Sequence, residues 1–470
     1  MSTFYSWTFL GLSLVLCSQC KNEPTVAKNA DSGYLDIHHI DTTVSPGDNY
    51  FKYVNETWNK TTTIPSTEVG VGSFFDLQTK SEEALLEVCK EAAAVKDAAP
   101  GSLEQRVGDL YTSIMDTAAI EAKGFNPLKP IFERIDQIKN QDDLIAFASL
   151  QQINGNNILF GFSVNPDDKN SSKNIAQFLQ GGIGLPDRDY YFRSDEQSKA
   201  VRVAYHTYLK KIFMLIGDDS TKAMAHADEV IRLESNIAKG HFTNVELRDP
   251  QKNYNKYGAG QLQKMSPGLD WNKLKSQMLI KTDSLMIGQP SFFTSLDKLI
   301  KATPVDQWKP YLKATTVSNS YNSLSKAFAD AGFEFFQKTL SGRQEPQPRW
   351  KYAANVVDSR IGDLSGQLYV KKHFDAKAKA RMTELIDNLT ATYGDHIKSL
   401  EWMSEITKTK ALEKLAAITR KIGYPDKWKT YDSLVITKND YFQNRINTDR
   451  NAYFKAIAKI DQPVDKTEWP

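Results

Sequence analysis

The sequence predicts a mainly α fold, built as a multi-helix lobe with one inserted β-hairpin at about residues 157–180. Apolar residues recur every three or four positions along most of the chain, which is the spacing of one helix face. Glycines follow several of these stretches, where helices commonly end. The exception is the short run from Ile158 to Val164, which is rich in aliphatic and aromatic residues and is typical of a strand.

The helices are predicted from periodicity and from the residues that start and stop them. Val107, Leu110 and Ile114 lie on one face, and Ser102 with Gln105 three residues later has the pattern of a capping box. Further helices are predicted at residues 141–153, 195–216, 221–239, 290–302, 310–340, 353–371 and 375–420.

The predicted hairpin interrupts this helical pattern. Residues 157–164 form its first strand, residues 165–172 are dense in Asn, Asp, Pro and Ser and form the loop, and residues 173–180 form the second strand. The glycine-rich residues 181–184 lack the later Gly-Lys-Ser/Thr of a phosphate-binding loop, and they also fail as a dinucleotide fingerprint. We therefore interpret them as a turn after the hairpin.

Length and charge restrict the function classes. The 470 residues exceed what a single hydrophobic core usually covers, so more than one compact unit is expected. Lys and Arg number 59 against 57 Asp and Glu, a formal net charge of +2. This balance gives no electrostatic reason to expect a nucleic-acid partner.

The amino-terminal residues are predicted to direct export. The apolar run at residues 9–16 has the length of a secretory signal and is too short to span a bilayer, so residues 1–19 are interpreted as a signal peptide. Cys20 lies where a bacterial lipoprotein carries its lipid, although the preceding residues match that pattern poorly. Lipidation at Cys20 and an ordinary cleaved signal both remain open. Residues 20–43 are predicted to be a polar tether. The expected location is the periplasm, the outer membrane or the surface of a bacterium.

No catalytic, metal-binding or cofactor-binding residue is predicted from the sequence. None of the seven histidines begins a His-Glu-x-x-His pattern, and no Gly-x-Ser-x-Gly elbow occurs. The nearest approach, His226 to Glu229, has no second histidine nearby and is interpreted as a solvated helix face. His38 and His39 are assigned to the tether. Cys89 lies in an apolar helical stretch and is expected to be a buried thiol.

One run of residues resembles a known family closely. Residues 180–191 read Gln-Gly-Gly-Ile-Gly-Leu-Pro-Asp-Arg-Asp-Tyr-Tyr, which closely resembles the signature of the neprilysin and endothelin-converting-enzyme family of zinc metallopeptidases. We refer to residues 180–191 as the signature segment. Other stretches match in the family's order, namely residues 46–53 with Trp58, Arg248-Asp249, Tyr254-Asn255, residues 340–342, 348–350 and 366–374, Trp402-Met403, Thr407-Lys408, and residues 421–426 with Trp428.

The resemblance implies an exported peptidase that acts on oligopeptides. In the family, a thermolysin-like lobe holds the zinc, and a mainly helical lobe caps the cavity and limits substrate size. Residues 44–470 resemble that helical cap. The family's zinc ligands lie downstream of the step seen here as Trp469-Pro470, so we expect zinc in the full-length enzyme and no metal in this chain. The chain alone is expected to be inactive, with oligopeptides and the missing catalytic lobe as its partners.

This chain differs from animal members of the family in two respects, and one alternative interpretation stays open. Animal members place a substrate-carboxylate-binding Arg where this chain has Gly70, so no substrate-binding residue is carried over. Animal members also carry disulfides that this chain cannot form. Aromatic residues within residues 46–75 are expected to pack on the absent lobe. The chain is expected to be a fragment of the enzyme; the alternative is a non-catalytic exported module that binds peptides or a partner protein.

Overall fold

The computed structural model describes residues 36–469, which divide into two compact units at Thr63 and Ile64. The first unit contains a 3₁₀ turn at Ile37–His39 and helix α1 at Tyr50–Thr61. The backbone N–H of Asp41 donates to the Tyr53 carbonyl over 2.8 Å, and the Lys60 ammonium lies 3.0 Å from the Asp41 carboxylate. Residues 36–43, assigned from the sequence to the tether, therefore bond to α1 within this unit.

The second unit is mainly helical, as the sequence predicts. Its 3₁₀ turns lie at Asn126–Leu128, Glu246–Arg248 and Tyr321–Ser323, and a π-helix spans Phe333–Thr339. Its α-helices are α2 (Ser73–Ala94), α3 (Leu103–Met115), α4 (Thr117–Lys123), α5 (Lys129–Asp136), α6 (Gln141–Ile153), α7 (Asp189–Phe192), α8 (Glu196–Leu215), α9 (Ser220–Lys239), α10 (Ala259–Met265), α11 (Trp271–Gln277), α12 (Pro290–Ala302), α13 (Val305–Ser318), α14 (Lys326–Gly332), α15 (Arg349–His373), α16 (Ala376–Ser399), α17 (Glu405–Ala416) and α18 (Tyr441–Ala458).

The predicted hairpin is present, and it belongs to a larger sheet. Strands β1 (Phe160–Asp167), β2 (Asn170–Gln180), β3 (Lys256–Gly258) and β4 (Ser284–Ile287) form a sheet of order β1-β2-β4-β3. β1 and β2 are antiparallel, and β4 runs parallel to β2. The two added strands are too short for sequence periodicity to detect.

The turn of the hairpin is tighter than predicted. The strands continue through most of the polar stretch, so that only residues 168 and 169 separate them. The buried Asp167 carboxylate explains this, because it accepts hydrogen bonds from the Lys169 N–H at 3.0 Å and the Tyr254 hydroxyl at 2.9 Å. The Lys256 ammonium on β3 lies 3.0 Å from the same carboxylate and connects the hairpin tip to the rest of the sheet.

The larger of two hydrophobic cores lies against this sheet. Phe178 on β2 is fully buried and contacts Phe162, Trp271 and Phe293 with ring centroids 5.3–6.4 Å apart. Burial of each such side chain contributes roughly 1.5–3 kcal/mol. The second core joins α2, α3 and α15, and Gly108 permits the close approach of α3 to α2, since a Cβ there would lie 2.7 Å from the Ala92 backbone.

Two long predicted helices are divided in the structure. The predicted helix at residues 310–340 is α13, a 3₁₀ turn, α14 and the π-helix in succession, and the predicted helix at residues 375–420 is α16 and α17. A new helix begins after Ser404, because the Ser404 hydroxyl accepts a hydrogen bond from the Thr407 N–H and caps it. Among the helices of residues 36–469, none is long and apolar enough to cross a membrane.

Candidate functional site

The signature segment connects β2 to α7 and follows a path that requires glycine. Gly182 has φ of +81°, and a Cβ at this position would lie 3.0 Å from the Leu159 carbonyl oxygen. A Cβ on Gly184 would overlap the hydroxyl of Tyr205 on α8. The backbone therefore lies directly against its neighbours, which larger side chains would push away.

A buried hydrogen-bond network links this segment to α8 and α9. The Tyr191 hydroxyl accepts from the backbone N–H groups of Gly184 and Leu185 at 3.1 Å each, and it donates to Glu234 Oε2 at 2.7 Å. The Tyr205 hydroxyl donates to Glu234 Oε1 at 2.9 Å. The network fixes the signature loop to a carboxylate in the carboxyl-terminal third of α9.

Glu234 is an unusual residue for this position, because its side chain is only 2% exposed. Burial raises the pKa of Glu234 to about 7, although the hydrogen bonds from Tyr191 and Tyr205 oppose the shift. Burial, together with the neighbouring Glu234 carboxylate, raises the pKa of both tyrosine hydroxyls well above the usual value. The carboxyl group is thus the one member of this network that titrates near neutral pH.

A cavity of about 310 Å³ lies beside this network, and we name it the Glu234 cavity. The Tyr311 hydroxyl in its wall donates to the carbonyl oxygens of Ile158 and Gly182 at 2.5 and 3.0 Å. Phe336, on the π-helix, forms another part of the wall. Single π-helical turns are rare and often occur at functional sites. The other lining residues are Asn157, Ile183, Gly184, Tyr205, Glu234, Thr315, Ser318, Asn319 and Tyr321.

A second, wider cleft of about 500 Å³ also borders the signature segment. His241 is buried in its wall, with Nε2 2.9 Å from the Gly181 carbonyl oxygen, and burial lowers the pKa of this imidazole. Gln289 Oε1 accepts from the Gln180 N–H at 2.8 Å, and Gln180 Oε1 accepts from the Phe242 N–H at 2.7 Å. These polar groups bond to one another, so they fix the segment and leave few free donors in the cleft.

Residues 36–469 do not fit a zinc ion. Within that range, no three His, Cys, Asp or Glu side chains come together as a metal site. His226 Nδ1 lies 2.7 Å from Asp218, and His206 Nε2 lies 2.9 Å from Asp228, so each of these two histidines has a single carboxylate partner. Zinc prefers four nitrogen, sulfur or oxygen ligands in a tetrahedron, which neither pair supplies.

The other residues named from the sequence occupy varied surroundings. Cys20, the predicted lipidation site, lies outside the described residues. Cys89 is fully buried, as expected, and burial raises the pKa of its thiol to about 12. The Phe75 ring fills the space beside Gly70, because a Cβ on Gly70 would lie 2.7 Å from it. Phe74 is 87% exposed.

Helices α16 and α17 present an uncovered apolar surface. Met382, Leu385, Leu389 and Tyr393 follow one another at intervals of three or four residues on α16, and each is exposed. We name these four residues the apolar stripe. Another face of α16 carries Gly394, which lies against Leu412 and Leu415 of α17. The stripe is thus a second apolar face on a helix that already has a packing partner.

Neither Glu234 nor the apolar stripe is predicted from the sequence. Val230 and Ile237, which are four residues before and three residues after Glu234, are both buried, so an acidic residue stands on the apolar face of α9. An acidic residue at an apolar position of the helix was the feature of the sequence that could have indicated a buried carboxyl group. The stripe gave no such signal, because its spacing is that of any amphipathic helix.

Comparison with known proteins gives a consistent result. Residues 46–425 match the family model described as peptidase family M13. An endothelin-converting enzyme homolog of Locusta migratoria is 27% identical over 458 residues, which cover 92% of this chain and 62% of that protein. Neprilysin of Mus musculus is 26% identical over 473 residues, again covering 92% of this chain and 62% of the relative. The chain thus spans about three fifths of the length of these relatives.

Solved structures agree with the sequence relatives. The zinc metalloprotease ZMP1 of Mycobacterium tuberculosis, in complex with an inhibitor, matches with a TM-score of 0.86 and 33% identity, covering 93% of this chain and 66% of that one. PEPO of Lactobacillus rhamnosis matches with a TM-score of 0.78 at 20% identity, which supports the fold alone.

Proposed function

The chain belongs to peptidase family M13, and on this basis we propose that it forms the amino-terminal, substrate-restricting cap of an exported neprilysin-type zinc metalloendopeptidase that hydrolyses oligopeptides. In this proposal zinc and the catalytic groups reside in a further lobe, and this chain contributes walls that limit the size of the peptides admitted. Its partners are that lobe and the oligopeptide substrates.

The apolar stripe is the observation that carries this proposal. Leu385, Leu389 and Tyr393 are 57–61% exposed, and each such side chain left in water forgoes up to roughly 1.5–3 kcal/mol of burial. Trp402 in the following turn is 76% exposed and adds to this surface. A surface of this kind favours a protein partner. The partner that we propose is the further lobe, since about two fifths of each relative lies outside the region that this chain matches.

In this proposal the zinc ligands belong to the further lobe. We therefore assign no hydrolytic step to the side chains described above. Their role is to hold the cap in shape, and the network that joins Tyr191 to Glu234 does so at the signature segment.

A chimera tests the proposal. This chain is joined to the part of Mycobacterium tuberculosis ZMP1 that follows the matched region, and cleavage of a fluorogenic oligopeptide is measured with and without a zinc chelator. We expect chelator-sensitive turnover by the chimera and none by the 470-residue chain. Chelator-sensitive turnover by the chain alone would contradict the proposal. A folded, zinc-loaded chimera without peptidase activity would favour the alternative, a non-catalytic binding module.

We also propose that the chain is exported and tethered to a membrane through a lipid on Cys20. The apolar run at residues 9–16 and the position of Cys20 after it support this proposal. Labelling with radioactive palmitate in a Gram-negative host should mark the wild-type chain and not Cys20→Ala. Equal labelling of both proteins, or a cytosolic product with its first residues intact, would refute it.

A further inference from the structure

The Glu234 cavity has the dimensions of a small-molecule site. Its volume of about 310 Å³ is near the lower end of the range for ligand pockets, and it far exceeds the roughly 30 Å³ that one water occupies. Asn157 and Asn319 are the exposed members of its lining and form the mouth, whereas Glu234 and Tyr311 are buried. A ligand that enters from solvent would therefore pass the two amides before it reaches the carboxylate.

Glu234 gives this cavity an uncompensated negative charge. Among residues 36–469, no lysine, arginine or histidine forms an ion pair with it. The hydroxyls of Tyr191 and Tyr205, which donate to the carboxylate, are neutral, and a carboxylate oxygen can accept more than one hydrogen bond. A buried carboxylate without a cationic partner is costly, and a bound cation would remove that cost.

The remaining walls are suited to an organic cation. The rings of Tyr321 and Phe336 stack with centroids 5.4 Å apart, and Tyr205 and Tyr311 add two further aromatic side chains. Aromatic faces attract ammonium groups. The lining also offers oxygen acceptors, since the carbonyl groups of Ile158 and Gly182 face the Tyr311 hydroxyl and Asn319 lies at the mouth.

We propose that the Glu234 cavity binds a small organic ammonium ion, such as a primary alkylamine or the end of a lysine side chain. The ammonium would bond to the Glu234 carboxylate, and the alkyl chain would lie among the aromatic rings. An anion is excluded by the carboxylate, and a transition metal finds no second His, Cys, Asp or Glu in the lining. This inference does not depend on the peptidase proposal, because it concerns only residues within the described chain.

The test compares two ligands of the same shape. Binding of n-butylammonium and of 1-butanol to the full chain is measured at pH 8 by isothermal titration calorimetry, with sodium chloride matched to the amine salt. We expect the amine to bind at least tenfold more tightly than the alcohol. Glu234→Gln, which keeps the shape of the side chain and removes its charge, should weaken amine binding at least tenfold. Glu229→Gln, on the same helix and outside the cavity, should leave it unchanged.

Two further measurements keep the proposal refutable if Glu234→Gln perturbs folding. Asn157→Trp blocks the mouth while the carboxylate stays in place, and it should also abolish amine binding. At pH 5.5 the wild-type chain should bind the amine several-fold more weakly, because Glu234 is then protonated, while Tyr191, Tyr205 and Tyr311 around it stay neutral at both pH values. Amine and alcohol of equal affinity, or amine binding that survives both substitutions, would overturn the assignment.

Discussion

The signature segment and the apolar stripe differ in which kinds of side chain they bury and which they expose. Around the signature segment, the unusual feature is a buried carboxyl group, Glu234, which accepts hydrogen bonds from two tyrosine hydroxyls. On α16 the charges face solvent and the unusual feature is exposed apolar surface. The first region has the character of a finished core with a polar network. The second is an exposed apolar surface, which favours association. Stability should therefore depend on the first region and association on the second.

The largest difference in unfolding free energy should come from truncating one aromatic side chain next to each region. Phe178→Ala removes a fully buried ring beneath the sheet and should lower the unfolding free energy by about 3–5 kcal/mol. Trp402→Ala removes a ring that is 76% exposed and should change the unfolding free energy by about 0.5 kcal/mol or less. Urea denaturation followed by circular dichroism measures both. A similar loss for the two variants would show that Trp402 also belongs to a closed core.

The buried charge should make stability depend on pH. The pKa of Glu234 rises from about 4.5 to about 7 on folding, so the folded chain favours the protonated form. The corresponding stability is present below pH 4.5 and is lost as the pH rises through about 7, by roughly 3 kcal/mol. Glu234→Gln should remove this contribution, so that the variant is the more stable protein at pH 8. The unfolding free energies of both proteins are measured by denaturation at pH 5 and pH 8. A difference between the two proteins that is the same at both pH values would contradict this prediction.

The close approach at Gly184 should produce a smaller effect. Gly184→Ala places a methyl group against the Tyr205 hydroxyl and should cost about 1–3 kcal/mol, with a weaker bond from Tyr205 to Glu234. Gly260→Ala on α10 is a matched control, because nothing lies within 4 Å of its Cβ, and it should be neutral or slightly stabilising. Thermal unfolding compares the two. Equal effects would mean that the signature backbone can relax around the added methyl group.

The sequence predicts the helical class, the hairpin and the bounds of several helices, because these follow from local spacing and from capping residues. Helix α6 begins and ends where it was predicted, at residues 141 and 153. Gln105 accepts from the Gly101 N–H, so the predicted capping pair is present with its reciprocal bond shifted by one residue. The Glu234 cavity could not be predicted, since it joins Asn157, Tyr205, Glu234 and Tyr311 from four separate parts of the chain.

The smallest effect on stability, and the largest on association, should come from the stripe. Leu385→Gln combined with Leu389→Gln exchanges two exposed apolar side chains for polar ones and should alter the unfolding free energy by about 0.5 kcal/mol or less. The same change should reduce the binding of the apolar dye ANS and the self-association of the chain, measured by fluorescence and by sedimentation. Unchanged dye binding would place the association surface elsewhere, for instance at the exposed Phe74.

Hydrogen exchange tests whether this chain is one lobe of an M13 peptidase with α16 packed against another lobe. Amide exchange is measured across residues 376–416 and 180–191 in the 470-residue chain and in the ZMP1 chimera. We expect residues 376–416 to exchange at least tenfold more slowly in the chimera, while residues 180–191 exchange equally in both proteins. Exchange of residues 376–416 that is the same in both proteins, in a chimera that cleaves peptides, would contradict it.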